Sequence, residues 1–290
     1  MGRSVIDDLG SMTDNVDGSG EIDWNAAKDA AIAAACTAGE ILRSMLNRAA
    51  VREKGSNDLV TDADLAAQHA IESILLERFP DHAFLGEEST SDAADTSKAW
   101  QWVVDPLDGT TNYAHGLRGF CVSIALMHRR KPVLGVILDP MAQEAFYAIS
   151  GLGAYWDETP FGKLNVRKIQ PASCSGLGKA LVAVSFPPRL SRGSLEIQRF
   201  LEVLLHAQSV RRLGSAALNL CYVACGRLDA YFGANLRVWD IAAAAVIAEE
   251  AGVRLARFDG SRFDSWHGEI AAAGNQSLLK ELLEKMQVHP

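Results

Sequence analysis

Positive charge is scarce in this chain: 28 Lys and Arg stand against 36 Asp and Glu, a formal net charge of −8. The basic excess that nucleic acid or an anionic membrane surface would call for is missing, so neither is expected as a direct partner. Long apolar runs are missing too, and none approaches the roughly 18 residues of a membrane-spanning helix. The longest, residues 30–39 and 241–248, are alanine-rich and suit packed helices. The opening MGRSVIDDLGSMTDNVDGSG lacks the apolar segment of a secretion signal, and Ile6 stands where N-myristoylation wants Ser or Thr. Cysteines number five, Cys36, Cys121, Cys174, Cys221 and Cys225, mostly inside apolar segments. An odd, buried set reads as free thiols, and a cytoplasmic location is expected on that ground.

What is present is an ordinary globular composition, 48% hydrophobic and 22% charged over 290 residues. That length is about twice the commonest domain size and suggests two sub-domains. The pattern divides the chain into an N-terminal arm without periodicity (1–22), an α+β part (23–165) and an α/β part (166–290). Asp23 can cap a helix reaching about residue 47, with Ala27, Ala31, Ala34, Ala38, Ile41 and Met45 at helical spacing. A polar turn over 53–57 follows, then a helix over 62–78 stopped by Pro80. Strands are expected at 100–104, 120–127, 133–138 and 144–149, and a Gly- and Pro-rich loop at 151–163. After 170, strands near 181–185, 209–213, 228–232, 253–258 and 270–273 alternate with helices near 194–208, 215–225, 240–251 and 276–287. The fold class is α+β shading into α/β, with helices layered on two sheets.

The strongest local signal is Asp105-Pro106-Leu107-Asp108-Gly109-Thr110-Thr111-Asn112, placed where a strand ends. Pro106 fixes φ and removes a donor, which reads as a rigid loop turning two carboxylates toward one point. Gly109-Thr110-Thr111 can open a helix whose free N–H groups face an anion. Hard carboxylates beside such a helix start suit a Mg²⁺-dependent phosphoryl site. Taken alone, the run could equally be an Asx turn before a capped helix. Gly86-Glu87-Glu88-Ser89, after Phe84-Leu85, also sits at a strand end, or is simply a solvated acidic loop. Asp240, in Val238-Trp239-Asp240-Ile241, precedes an alanine-rich helix and could be a plain N-cap. Their combination and order are far more specific than any one of them. Cys221 and Cys225, four apart on a helix, lack partners at metal-ligand spacing and read as core. His115 reads as a solvated loop residue, and Arg211-Arg212 as strand-end cations paired with surface carboxylates.

With Asp58-Leu59-Val60-Thr61-Asp62-Ala63-Asp64 and Arg212-Leu213-Gly214-Ser215-Ala216-Ala217 added, the chain resembles the inositol monophosphatase family of metal-dependent sugar-phosphate phosphatases from about residue 25 to 285. The resemblance implies a layered αβαβα sandwich of two sub-domains with the metal site between them, and a homodimer. It implies that Glu87, Asp105 and the Leu107 carbonyl hold one Mg²⁺, and that Asp105, Asp108 and Asp240 hold a second. A third would use Glu87 and waters. Glu87 and Thr110 would orient the attacking water, with Asp64 supporting Thr110. Backbone N–H groups of Gly109 and Thr110, and those near Ser215 and Ala216, would receive phosphate oxygens. Lys54 would lie at the edge of the site, and lithium would inhibit at the Asp105–Asp108–Asp240 position. Charge balance agrees: four crowded carboxylates are costly without cations, and a phosphate dianion calls for one more.

Inositol monophosphate is the leading substrate by resemblance, supported by Thr111-Asn112 where relatives acting on phosphoadenosine compounds carry Lys after Asp-Gly-Thr. Fructose-1,6-bisphosphatase, histidinol-phosphatase or nucleotide phosphatase activity on the same scaffold is the enzymatic alternative. A non-catalytic binding role in RNA-processing machinery is the alternative of another class. One departure bears on selectivity. Family members usually carry a polyol-binding Glu seven residues before the Asp of Trp-Asp, and this chain has Gly233 there.

Overall fold

The computed structural model describes residues 22–55, 58–89, 97–162, 165–187 and 189–287. Its first helix, α1 (Trp24–Met45), opens on Asp23, whose carboxylate accepts the Ala26 amide at 3.0 Å. A hairpin of β1 (Val51–Gly55) and β2 (Asp58–Thr61) follows. This corrects part of the expected polar turn: Glu53 and Gly55 are paired within the hairpin, and 56–57 lie outside the described residues. Thr61 then caps α2 (Asp62–Arg78).

Seven strands build the larger sheet: β3 (Ala83–Gly86), β4 (Trp100–Asp108), β5 (Cys121–His128), β6 (Lys131–Asp139), β7 (Glu144–Ile149), β8 (Gly153–Asp157) and β9 (Val166–Lys168), in that spatial order. Only β3 and β4 pair in parallel. Two expectations fail here. The presumed loop at 151–163 contains β8, and β4 runs on through Pro106 to Asp108. The Pro is accommodated because the register slips between Asp105 and Asp108, so its missing N–H falls in an irregular stretch of the ladder. The short helix α3 (Thr110–Ala114) leads from β4 into β5.

The smaller sheet has the order β11-β10-β12-β14-β13, from β10 (Leu181–Ser185), β11 (Ser209–Arg211), β12 (Ala230–Gly233), β13 (Arg254–Ala256) and β14 (Ile270–Ala273). Its helices are α4 (Leu195–His206), α5 (Ala216–Ala224), α6 (Val238–Ala251) and α7 (Gln276–Met286).

Strand alternation sorts the apolar side chains into three cores and so into five layers. On β5, Val122, Ile124 and Leu126 pack with α1 and α2, whereas Cys121, Ala125 and Met127 face α5 and α6. On the smaller sheet, Tyr231, Ile270 and Ala272 close that same middle core. Phe232, Ala271 and Ala273 face α4 and α7 on the other side. The αβαβα sandwich expected from the sequence is therefore the observed architecture. No helix among the described residues is long and apolar enough to cross a membrane.

Between β7 and the loop after α5, the Arg227 guanidinium grips buried Glu144 with two parallel bonds of 2.6 and 2.7 Å. The guanidinium also lies 4.4 Å from the ring centre of Trp156 and 5.1 Å from that of Tyr222. Arg227→Ala leaves a buried carboxylate without its cation. The expected cost is about 2 kcal/mol, below the usual 3–5 because the guanidinium side of the pair is partly solvated. Urea unfolding of the variant checks it.

Candidate active site

Strand order and one side-chain bond bring four distant acidic residues to one region. Gly86 at the end of β3 lies beside Val104, and the Glu87 amide donates to the Val104 carbonyl at 3.0 Å. Glu87 thus leaves the sheet next to Asp105. Asp105 is paired across the sheet with Ser123, whose hydroxyl donates to the Trp239 carbonyl at 3.0 Å. That bond fastens the start of α6 to β5 and sets Asp240 near Asp105. Helix α6 begins two residues before the expected N-cap, so Asp240 lies inside its first turn and accepts the Arg237 amide at 2.7 Å. Asp108 follows the β4 irregularity and pairs with Cys121.

The four carboxylates sense one another. Burial raises Asp105 well above the usual carboxylate range, and the charges of Glu87, Asp108 and Asp240 raise it further. The Leu107 amide, donating to Asp105 Oδ1 at 2.9 Å, opposes this. Asp240 is likewise pushed well up by burial and then by Asp108. Asp108 is raised by burial but braced: the Ser215 hydroxyl at 2.6 Å and the Ala217 amide at 2.7 Å both donate to its Oδ2. Among the described residues no three such side chains are drawn together as a closed metal cage. The mutual repulsion of these carboxylates is what cations would relieve. An all-oxygen donor set around a charge-starved centre fits hard divalent cations.

At the end of β4, Gly109 adopts φ of +104°, and a Cβ there would lie 3.1 Å from both the Gly119 carbonyl and Phe120 Cβ. Glycine is required for the chain to turn from β4 into α3. The Thr110 hydroxyl donates back to the Leu107 carbonyl at 3.1 Å. Asp64, in the first turn of α2, completes a capping box: its Oδ2 accepts the Thr61 amide at 2.8 Å and the Thr61 hydroxyl at 2.5 Å. Its Oδ1 is buried without a partner among the described residues. Burial raises Asp64 to about 6 against the Thr61 bonds. A carboxylate raised in the fold contributes stability below its unfolded value and loses it as pH rises through the folded value. Metal-free protein is therefore expected to lose stability between pH 3.8 and about 6, with Asp64→Asn flattening that slope in thermal unfolding.

The structure thus gathers Glu87, Asp105, Leu107, Asp108, Gly109, Thr110, Ser215, Ala216 and Asp240 into one region, with Asp64 buried on neighbouring α2. The Ser215 side chain turns onto Asp108, a contact additional to the backbone role expected of this segment. His115 is exposed, as expected. The Lys54 side chain lies outside the described residues. Among the described residues Arg211 bonds Ser209 Oγ and the Val210 carbonyl rather than a carboxylate, and Arg212 lies over the Phe186 ring. Cys221 is buried and the Cys225 thiol donates to the Tyr222 carbonyl, which agrees with core packing. Ser123 and Gln68, whose Oε1 accepts the Glu88 amide at 2.9 Å, were not legible from spacing. Both act across strand pairs or between helix and loop.

Comparison with known proteins follows the same lines. The profile of the inositol monophosphatase family matches residues 23–290. Inositol monophosphatase 2 of Solanum lycopersicum is 41% identical over 251 residues, covering 84% of this chain and 92% of that protein. Nus factor SuhB of Pseudomonas aeruginosa is 37% identical over 270 residues, covering 89% and 95%. The crystal structure of the extragenic suppressor protein SuhB from Bartonella henselae superposes with a TM-score of 0.81 at 32% identity, covering 90% and 98%. The inositol monophosphatase of Anabaena does so with a TM-score of 0.79 at 35% identity, covering 93% and 98%.

Proposed function

Since the chain belongs to the inositol monophosphatase family and is a phosphoric monoester hydrolase, we propose that it hydrolyses small phosphate monoesters with Mg²⁺, inositol monophosphate foremost. The observation that supports this is the electrostatic meeting of Glu87, Asp105, Asp108 and Asp240 where the larger sheet faces α6. Asp105 would serve two cations, one shared with Glu87 and the Leu107 carbonyl, the other with Asp108 and Asp240. A third cation would enter with the substrate at Glu87. When bound, Mg²⁺ supplies the positive charge that lowers the pKa of water and offsets charge on the leaving oxygen. Glu87 and Thr110 orient the attacking water in this reading, and Asp64 steadies them from α2. Backbone amides at Gly109–Thr110 and Ser215–Ala216 hold the phosphate oxygens. The remaining work is positioning, so no protein nucleophile is needed.

Release of inorganic phosphate from inositol 1-phosphate, measured with Mg²⁺ and again with excess EDTA, tests the reading. Activity only with Mg²⁺, declining as LiCl is titrated in, is expected; equal rates with EDTA would sink it. Relatives named Nus factor support a second role as a binding factor, and absence of turnover with every phosphate ester tried would favour it. A homodimer, measurable by light scattering, is proposed on resemblance.

Selectivity should be broad. Gly233 ends β12, and a Cβ there would fall 2.6 Å from the Tyr231 hydroxyl and 3.0 Å from Leu236 Cδ1. Gly233 thus offers no group for the polyol contact, and a side chain there would have to displace the Tyr231 hydroxyl. Asn235 and Arg237 are exposed nearby, leaving phosphate as the main recognition element. The kcat/KM for inositol 1-phosphate should exceed that for glycerol 2-phosphate by less than about a thousandfold, roughly 4 kcal/mol. A larger ratio would show that another residue replaces the Glu.

A further inference from the structure

Asn112 is a partly buried residue of α3 whose side-chain amide reaches out of that helix in two directions. Its Nδ2 donates to the Gly119 carbonyl at 2.8 Å, closing the α3–β5 connection on itself. The same nitrogen donates to the Leu213 carbonyl at 2.8 Å, in the segment that leads from β11 into α5. Two residues beyond Leu213, the Ser215 hydroxyl returns to Asp108 Oδ2 at 2.6 Å. These bonds close a ring through Asp108, Asn112, Leu213 and Ser215, tying the start of α3 to the start of α5. Gly214 lies inside the ring at φ of +95°, where a Cβ would sit 2.5 Å from Asn112 Nδ2 and 2.8 Å from Oδ1. The segment therefore passes directly over the amide. A neutral amide suits the place, because one nitrogen carries two protons for two carbonyls, and a carboxylate carries none.

Resting on the phosphatase reading, we infer that Asn112 is a positioning residue that sets the spacing of the two backbone segments, Gly109–Thr110 and Ser215–Ala216, and so governs phosphate binding rather than metal binding. The two effects separate because Asp108 keeps a brace outside the ring when Asn112 is lost, the Ala217 amide of α5 at 2.7 Å. The 213–216 segment, by contrast, loses its only side-chain tie to α3 among the bonds described here.

The test uses full-length enzyme carrying Asn112→Ala, the donor-free isostere Asn112→Asp, or Gly214→Ala, which presses a methyl on the amide from the other side. Calorimetry gives the affinity for inorganic phosphate at saturating Mg²⁺ and, separately, for Mg²⁺; KM, kcat and thermal unfolding accompany it. Expected is about tenfold weaker phosphate binding and a matching rise in KM for all three, with Mg²⁺ affinity within about twofold of wild type. Unchanged phosphate affinity, a parallel fall in Mg²⁺ affinity, or wild-type behaviour of Asn112→Asp would overturn the inference. Should Asn112→Ala not fold, Asn112→Asp and Gly214→Ala decide. A wild type that binds no phosphate with Mg²⁺ present overturns the phosphatase reading itself, whereas the variant-to-wild-type ratio judges the clamp.

Discussion

Asp105→Asn is expected to lower turnover by more than about a thousandfold, leave the protein folded, and raise the melting temperature of the metal-free form. Asp105 is buried, and Glu87, Asp108 and Asp240 all push its proton affinity up. Its folded-state value lies above the unfolded one, so ionised Asp105 destabilises the native state, increasingly as pH rises through the folded value. Asparagine removes that charge and keeps an oxygen for the Leu107 amide, now held at 2.9 Å. Relieving about 1 kcal/mol of repulsion should add about 2–4 °C at neutral pH. With Mg²⁺ the order should invert: wild type gains stability on titration, and the variant gains little because the anionic ligand proposed to serve both cations is gone. A folded variant that keeps more than about a tenth of the activity would contradict the bridging role proposed for Asp105, since such a ligand would support several kcal/mol of charge stabilisation.

The same region shows what the sequence discloses and what it hides. Helix α2 was legible to the residue because Thr61 and Asp64 form a local cap and Pro80 a local stop. The strands β7, β10 and β14 were legible as short apolar runs between turn residues. β8 was not: Gly153 to Asp157 pairs with β7 and β9, but Gly151, Gly153 and Pro160 punctuate the stretch so that it reads as a loop. β1 was missed because its described side chains, Val51, Arg52 and Glu53, are all exposed and print no alternation. The path of β4 past Pro106 depends on a slip in register that only the partner strand defines. Among site residues, the carboxylates were legible because they belong to contiguous motifs. Ser123, which reaches α6 through the Trp239 carbonyl, and Ser215, which turns to Asp108, act over 116 and 107 residues of sequence. No spacing rule reads such contacts.

Gly135→Ala is expected to be the most damaging single-methyl change in the core and to reach the site through α6. Gly135 lies on β6, the middle strand of the larger sheet, between Ala125 and Ala148. Its neighbours Leu134 and Val136 face α1 and α2, so position 135 faces α6. A Cβ there would overlap the Ala243 carbonyl oxygen and lie 2.8 and 2.9 Å from the carbonyl carbon and Cα of that residue. These are backbone atoms, and no rotamer change moves them aside. Helix α6 is buried nearly all round, with alanines at 242–245 and 248 allowing both sheets to approach it closely. It must therefore shift as a body or tilt. Either movement strains the Ser123–Trp239 bond, now 3.0 Å, and draws Asp240 away from Asp105. Overpacking of this kind costs about 3 kcal/mol, an expected fall of about 10 °C in melting temperature. Activity of the folded fraction should fall as well, and lost Mg²⁺ affinity would trace that to Asp240. Adding Ala243→Gly should not restore either property, because the obstruction is the main chain of residue 243 and not its methyl group. Restoration by that second change would place the close approach in side-chain packing and free Gly135 of the role assigned to it.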